Sequence, residues 1–520
     1  MDFKKNVLNI LVILLIIISG TVCVYTVLNY SKNPTEASQG ISQFGSKAAG
    51  GNTKSMHPPG NKAGSNAPIS SHTPSGGFHM GNINNASSTI AGYSPLFFVY
   101  AIAFFGMSAA AFFFIKKKSL NINVSKVKLL MPALIITGLF VRITLALLVN
   151  GYPGDMSLFR NWAESVSSNF SQFYSGARSS DYPPFYIYIL YIIGKIGSTS
   201  LFSKYYILLL KLPSIMADMA AAGLIYKAAK KYLSPEKGLM LAAFYIFNPA
   251  IFINSSLWGQ VDSFFTLIVA FSIYLLAENK LYPSAVLFTI SVLMKPQGII
   301  FLPVLFFELV RRKSIKKFVL TALIAAATAL IVVLPFAYNK EALWIFKLYS
   351  STVSEYPYAS LNAYNFFALI GANYVKDSTK LLFISYKLFG MLSILITTLF
   401  SWYLYHKADN CKFAPAAALI QIAGVFTFSV GMHERYLFPA AALAALSYIY
   451  IRDKKILLLM LGYSCTSYVN VHTVLFTTLK GATDIATNDP TIFIISLLNV
   501  LLFIYVSTVM AGIKKEVLQN

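Results

Sequence analysis

The chain has 520 residues, of which 56% are hydrophobic and only 12% charged, with a mean hydropathy of +0.63. A soluble domain carries about 25% charged residues, so this composition excludes an ordinary soluble protein and predicts a polytopic membrane protein. The net charge of +23 would suggest nucleic acid in a soluble domain, but the Lys and Arg sit in short clusters at helix ends, the pattern that orients membrane proteins, and no nucleic-acid partner is expected.

A spanning helix needs about 20 largely apolar residues. Met1 to Tyr30 meets this with an apolar run too long for a secretory signal and without a small-residue cleavage site, so residues 1–30 are expected to be an uncleaved first helix. Residues 31–93 are rich in Gly, Ser, Asn and Pro and have almost no aliphatic pattern. They cannot bury enough surface to fold and are expected to form a disordered external loop. The spacing of His57, His72 and His79 within it matches no metal-ligand pattern. Residues 94–125 hold a second helix and a basic turn, 126–337 a core with an outer loop at 150–205, 338–378 an aromatic outer loop, and 379–520 the C-terminal helices. In all, about fourteen crossings are expected.

The basic clusters orient them. Lys4-Lys5, Lys116-Lys117-Lys118, Lys227 with Lys230-Lys231, Arg311-Arg312-Lys313, Arg452 with Lys454-Lys455, and Lys514-Lys515 all fall on the cytoplasmic side if residues 184–203 lie in the outer interface without crossing. Both termini are then cytoplasmic. The loop holding Asp155 and Asp181, the turn Trp258-Gly259-Gln260-Val261-Asp262, the break Lys295-Pro296-Gln297 and the run His433-Glu434-Arg435-Tyr436 all reach the outer face.

Carboxylates beside a bilayer are costly unless used. Asp155 follows the helix carrying Arg142 and suits a general base, or else a helix N-cap. Asp181, before Tyr182-Pro183-Pro184, is also a plausible cap, or could help place substrate. His433, Glu434 and Arg435 are three ionisable groups in sequence at a helix mouth, where Arg could hold a phosphate by paired hydrogen bonds. Lys295, in an apolar stretch broken by Pro296, needs a partner or an anion, or snorkels to the surface. Gln260 and Asp262 could be presented to a cavity by the Trp-Gly turn, or Asp262 could cap the next helix. Asp218 and Lys211 lie two turns apart inside a span, and a structural pairing of Asp218 with a basic residue such as Arg142 is expected. The aromatics Trp344, Tyr349, Tyr356, Tyr358 and Tyr364 are read chiefly as interface anchors, with a sugar or acceptor platform as the alternative. No phosphate-binding Gly loop, HExxH or GxSxG is present. Cys23, Cys411 and Cys465 form neither a disulfide framework nor a CxxC site.

With these motifs in order over roughly residues 129–450, the chain resembles a GT-C class glycosyltransferase that uses a polyprenyl-phosphate sugar. Gly154-Asp155 followed by Trp162, then Asp181-Tyr182-Pro183-Pro184, resembles the first outer loop of the dolichyl-phosphate-glucose-dependent glucosyltransferases. Asn248-Pro249 through Asp262, Lys295-Pro296-Gln297 and His433-Glu434-Arg435-Tyr436 resemble bacterial mannosyltransferases related to the GPI second-mannose enzyme. The resemblance implies an all-α GT-C-like bundle with interfacial helices in a large first outer loop, and an inverting transfer of a hexose, expected to be mannose. It implies Asp155 as the base, a polyprenyl-phosphate donor, and a lipid, glycan or protein acceptor at the plasma membrane. Asp181, Tyr182, Gln260, Asp262, Lys295, Gln297, His433, Glu434 and Arg435 are expected to contact substrate. No cofactor is expected. Many relatives have two adjacent acids in the first loop, whereas here Asp155 precedes Met156, which weighs against a metal-binding pair. The competing classes are a transporter or flippase of lipid-linked saccharides, which would show paired broken helices, and a glycan polymerase or ligase.

Overall fold

Long apolar runs leave the backbone no partner but itself in a lipid phase, and the structure follows suit: this is an all-α polytopic membrane protein, 79% helical. The computed structural model describes residues 3–30, 92–117, 124–176, 180–479 and 489–518. The expectations about residues 31–91, including His57, His72 and His79, lie outside the described residues.

In chain order the helices are α1 (Phe3–Asn29), α2 (Ser94–Lys117), α3 (Val124–Leu148), α4 (Pro153–Ser168), α5 (Pro184–Gly197), α6 (Tyr206–Tyr232), α7 (Pro235–Phe247), α8 (Pro249–Phe252), α9 (Asp262–Ala277), α10 (Leu281–Met294), α11 (Leu302–Arg311), α12 (Ile315–Val333), α13 (Trp344–Ser354), α14 (Phe366–Leu369), α15 (Tyr386–Ala408), α16 (Ala414–Phe428), α17 (Ala440–Ile451), α18 (Lys455–Leu479) and α19 (Pro490–Ala511). Among the described residues eight helices are long and apolar enough to cross a membrane, and the bent pair at Pro235–Phe247 and Pro249–Trp258, angled by 42°, makes up to nine. Several segments expected to cross form shorter apolar helices instead, α9, α10 and α17 among them. The helix α5 has 14 residues, ~21 Å at the α-helical rise and shorter than a bilayer core.

Two Ala-rich helices, α16 and α17, form the centre. Every residue of α17 is buried, and 83% of the α16 span is buried. A helix that is apolar all round belongs inside a bundle, and small side chains let its neighbours approach closely. The segment after α3 is built differently. On α4 the buried residues Met156, Phe159, Trp162, Ala163 and Val166 form one stripe, which packs against α5. A Cβ on Gly194 would lie 2.2 Å from the Ala163 carbonyl oxygen, so glycine permits this close approach.

Four two-residue strands complete the fold. β1 (Ser360–Leu361) pairs in parallel with β4 (Met432–His433), and β2 (Lys380–Leu381) pairs antiparallel with β3 (Ile384–Ser385). The loop carrying β1 is tied to the helices by Asn470, which donates to the Asn362 carbonyl at 2.7 Å and accepts from the Tyr364 N–H at 3.0 Å. Trp344 and Tyr364 are buried within the protein, whereas interface anchors would face lipid.

Inside the bundle Arg142 Nε donates to Asp218 Oδ2 at 2.8 Å, with both side chains almost fully buried. This is the structural pairing expected for Asp218.

Candidate active site

The site begins where α3 ends. Lys211, fully buried on α6, donates to the carbonyls of Ala146 at 3.2 Å, Ser256 at 2.8 Å and Val149. Three carbonyls satisfy the ammonium's three donors, so this cation clamps the end of α3 to the segment after α8. That segment is a π-helical turn, Ile253–Trp258. The Asn254 carbonyl accepts from both Gly259 and Gln260 N–H at 3.0 Å. Gly259 closes the turn at φ +89°, where a Cβ would sit 2.6 Å from Met156 Cε, so the position requires glycine.

Across this turn the chain before α4 is held by backbone and ring. Tyr152 N–H donates to the Trp258 carbonyl at 2.8 Å, and the two rings stack at 4.8 Å. Asp155 follows in the first turn of α4, and its Oδ2 accepts from Trp258 Nε1 at 2.6 Å and Gln260 Nε2 at 2.6 Å. The N-cap of α4 is Tyr152, with no side-chain cap, so the capping alternative for Asp155 falls away. Among the described residues Oδ1 of Asp155 has no hydrogen-bond partner, and the residue is half-buried.

On the far side of Trp258 lies the second half of the site. Asp262, 3% exposed at the start of α9, accepts from Asn254 Nδ2 at 3.1 Å and pairs with Lys295, itself 2% exposed. Its Oδ2 is 3.6 Å from Arg435 Nε. Arg435 also pairs with Glu434 and places its guanidinium 5.5 Å from the Trp258 ring centroid. Lys295 lies over the Tyr182 ring at 5.5 Å. Asp262 does not cap α9, whose N-cap is Val261. Asp181 does not cap α5 through its side chain, the N-cap there being Pro183. Among the described residues the site's buried polar atoms without hydrogen-bond partners include Arg435 Nε, Gln297 Oε1 and Asn254 Oδ1. Such orphans carry a free-energy penalty unless a ligand relieves it.

The loop after α12 covers this cluster. Backbone pairing sets Leu361 opposite His433, the Tyr356 ring meets the His433 ring edge-on at 5.1 Å, and Thr352 Oγ1 donates to the Asp181 carbonyl at 3.0 Å. Burial lowers the pKa of His433 well below its ordinary value, helped by Arg435 and Lys295, so its imidazole is neutral near pH 7 and can donate one hydrogen bond without adding charge. Burial also raises the Glu434 carboxyl, against the pull of Arg435. Asp181 is pushed up to about 6, by burial first and then by Glu355, with Lys295 opposing. The shift of Asp181 matters because Asp155, Asp181, Asp262 and Glu434 outnumber Lys295 and Arg435; below about pH 6 its protonation lessens that excess of negative charge.

The structure therefore joins Asp155, Gln260, Asp262, Lys295, Tyr182, Glu434 and Arg435 through one chain of contacts. Gln297 lies close enough to Tyr436 to influence its hydroxyl, and Asp181 lies within electrostatic reach of Asp155 and Lys295. Sequence reasoning did not single out Trp258 as a donor, Tyr152 as its stacking partner, Asn254 as a ligand of Asp262 or Tyr356 as the cover on His433. Tyr152 carried a weak signal in its closeness to Gly154-Asp155; Asn254 and Tyr356 carried none.

With this geometry in view, residues 181–338 match the dolichyl-phosphate-mannose-protein mannosyltransferase family. The matched stretch holds Asp181, Tyr182, Gln260, Asp262, Lys295 and Gln297, and leaves Asp155 and His433-Glu434-Arg435 outside. The match supports a GT-C class glycosyltransferase. No curated protein matches the chain.

Proposed function

We propose that this protein is an inverting glycosyltransferase that moves a hexose, mannose by the family similarity, from a polyprenyl-phosphate donor to an acceptor hydroxyl on the extracytoplasmic face of the plasma membrane. In this reading residues 126–337 are the catalytic core with its outer loop at 150–205, both termini are cytoplasmic, and the short helices complete a set of about fourteen apolar segments. Asp155 is the general base. The acceptor O–H proton passes to Oδ1 of Asp155, and the oxygen's electron pair forms the new bond to the anomeric carbon. The bond from that carbon to the phosphate oxygen breaks, its electrons leaving with the polyprenyl phosphate. One displacement turns the anomeric carbon over once, which gives inversion.

Arg435 and Lys295 hold the phosphate. Both are already paired with Asp262 or Glu434, so the phosphate takes the spare donors, Arg435 Nε first. Fixed donors in a dry site stabilise the developing charge without reorganising. The observation that carries this reading is Trp258: it donates to Asp155 through Nε1 and lies beneath the guanidinium with its ring, so one rigid indole holds both the base and the cation.

The test is transfer of labelled sugar from a synthetic polyprenyl-phosphate donor by the purified protein, wild type against Asp155→Asn. A general base contributes about 10²- to 10⁴-fold, so turnover should fall by that much with donor binding retained. Full turnover in the variant overturns the assignment, and a panel of donor sugars decides between mannose and other hexoses.

A further inference from the structure

The helices that carry the site also meet at their opposite ends. Asp262 opens α9 and Glu278 follows its last residue, ~24 Å away along the axis. There the ends of α6, α9 and α11 and the turn between α15 and α16 surround a cavity of about 360 Å³, whose lining includes Lys231, Arg311, Lys412, Asn279, Glu278 and Asp409. Three separate basic clusters contribute cations to this end, with Lys515 reaching Asp409 from the C-terminal segment.

The hydrogen-bond balance at this cavity is uneven. Glu278 is saturated: Lys231 pairs with Oε2, while the Tyr232 and Tyr450 hydroxyls donate to Oε1 at 2.8 Å. Asp409 is engaged by Lys515 at 2.8 Å and more loosely by Arg311 Nη1 at 3.9 Å. The donors are not used up. Lys412 makes no ion pair among the described residues, its ammonium lying 5.6 Å from the Tyr232 ring centroid. Arg311 commits Nε and Nη2 to Glu308 and leaves Nη1 without a hydrogen bond. Asn279 accepts from Arg312 through Oδ1, which leaves its amide N–H₂ available. A fully engaged Glu278 beside the Lys412 ammonium, a spare Arg311 nitrogen and an amide makes a pocket that takes an acceptor-rich anion.

We propose that this pocket binds a phosphate ester, presented as the headgroup of an anionic phospholipid. Its place at the ends of apolar helices favours a lipid over a soluble ester, because basic pockets between spans hold anionic headgroups at the membrane surface. The headgroup phosphate accepts from Lys412, Arg311 Nη1 and Asn279, while the acyl chains follow the apolar flanks of the surrounding helices. Nothing in this proposal depends on the chemistry at the other end of α9.

Native mass spectrometry of the full-length protein equilibrated with equal amounts of phosphatidylglycerol and phosphatidylcholine tests it. Wild type should retain phosphatidylglycerol preferentially. Lys412→Glu should lower that retention by about 25-fold, two charge steps of about fivefold each. Lys316→Glu, on an exposed lysine off the pocket, should leave it unchanged, and unfolding midpoints show whether each variant is folded. No lipid preference in wild type, or equal losses in both variants, overturns the proposal. Binding of soluble glycerol phosphate without phosphatidylglycerol retention assigns the pocket to a free ester and overturns the lipid source.

Discussion

The two ends of α9 both set a carboxylate among basic groups, yet they are built for different purposes. At the Asp262 end the acid, Lys295 and the indole are buried, and the buried Nε of Arg435 is left without a hydrogen bond. At the Glu278 end every carboxylate oxygen has a partner, and the spare donors lie on half-exposed groups near water. Removal from water is the difference. A buried unsatisfied donor carries a standing penalty that a ligand relieves, whereas a surface donor is satisfied by solvent and gains only a modest electrostatic preference. Strong, specific chemistry is therefore expected at the first end and weaker, salt-sensitive binding at the second.

The sharpest break in that comparison would come from Asp155→Asn: a fall of about 10²- to 10⁴-fold in kcat with no change in the unfolding midpoint. Glu308→Gln probes the opposite end, where a fully buried carboxylate is held by Arg311, Arg312 and the Tyr405 hydroxyl. Breaking such an array costs roughly 3 kcal/mol, and denaturation should record that loss while transfer per folded molecule stays at the wild-type rate. Arg435→Lys keeps the charge but removes Nε and the flat cation over Trp258; kcat/KM for the donor should drop by about 10- to 100-fold.

Asp181 supplies a pH test. Its carboxyl ionises near 3.8 when unperturbed and about 6 in the folded protein, so the folded state holds the proton more tightly. That contribution to stability is fully present below the unfolded value and is lost as pH rises through 6, roughly 3 kcal/mol at most. Wild type should lose this portion between pH 4 and 6 as measured by unfolding midpoint, and Asp181→Asn should not. The smallest effect belongs to Lys515→Ala. Its pair with Asp409 is half-exposed on both sides, so stability should change by less than about 1 kcal/mol; a larger shift would mean that this end is structurally tighter than its exposure suggests.

Much of the fold was legible in local pattern. The first helix expected within residues 1–30 appears as α1, Phe3–Asn29. The short helices α9 and α17 show why such reading has a limit: apolar content marks burial, and every residue of α17 is buried inside the bundle. The capping alternatives for Asp155, Asp181 and Asp262 could not be decided from neighbours in sequence, because a cap and a long-range partner call for the same residue types. Trp258 illustrates the point. Its aromatic ring was plain, but its donor role depends on α4 arriving from residues a hundred positions earlier.

The sequence by itself determined that this chain lives in a membrane, which runs are apolar enough to be helices, and which few acids, bases and aromatics stand outside them, because hydrophobicity and turn chemistry act between near neighbours. Tertiary structure alone decided which carboxylate meets which cation: that Asp262 is shared by Lys295 and Arg435, that Asp155 rests on Trp258 and Gln260, and that Tyr356 covers His433. Those pairings are set by how distant helices pack, and electrostatic and hydrogen-bond energies depend on separations of a few ångströms that no linear pattern encodes.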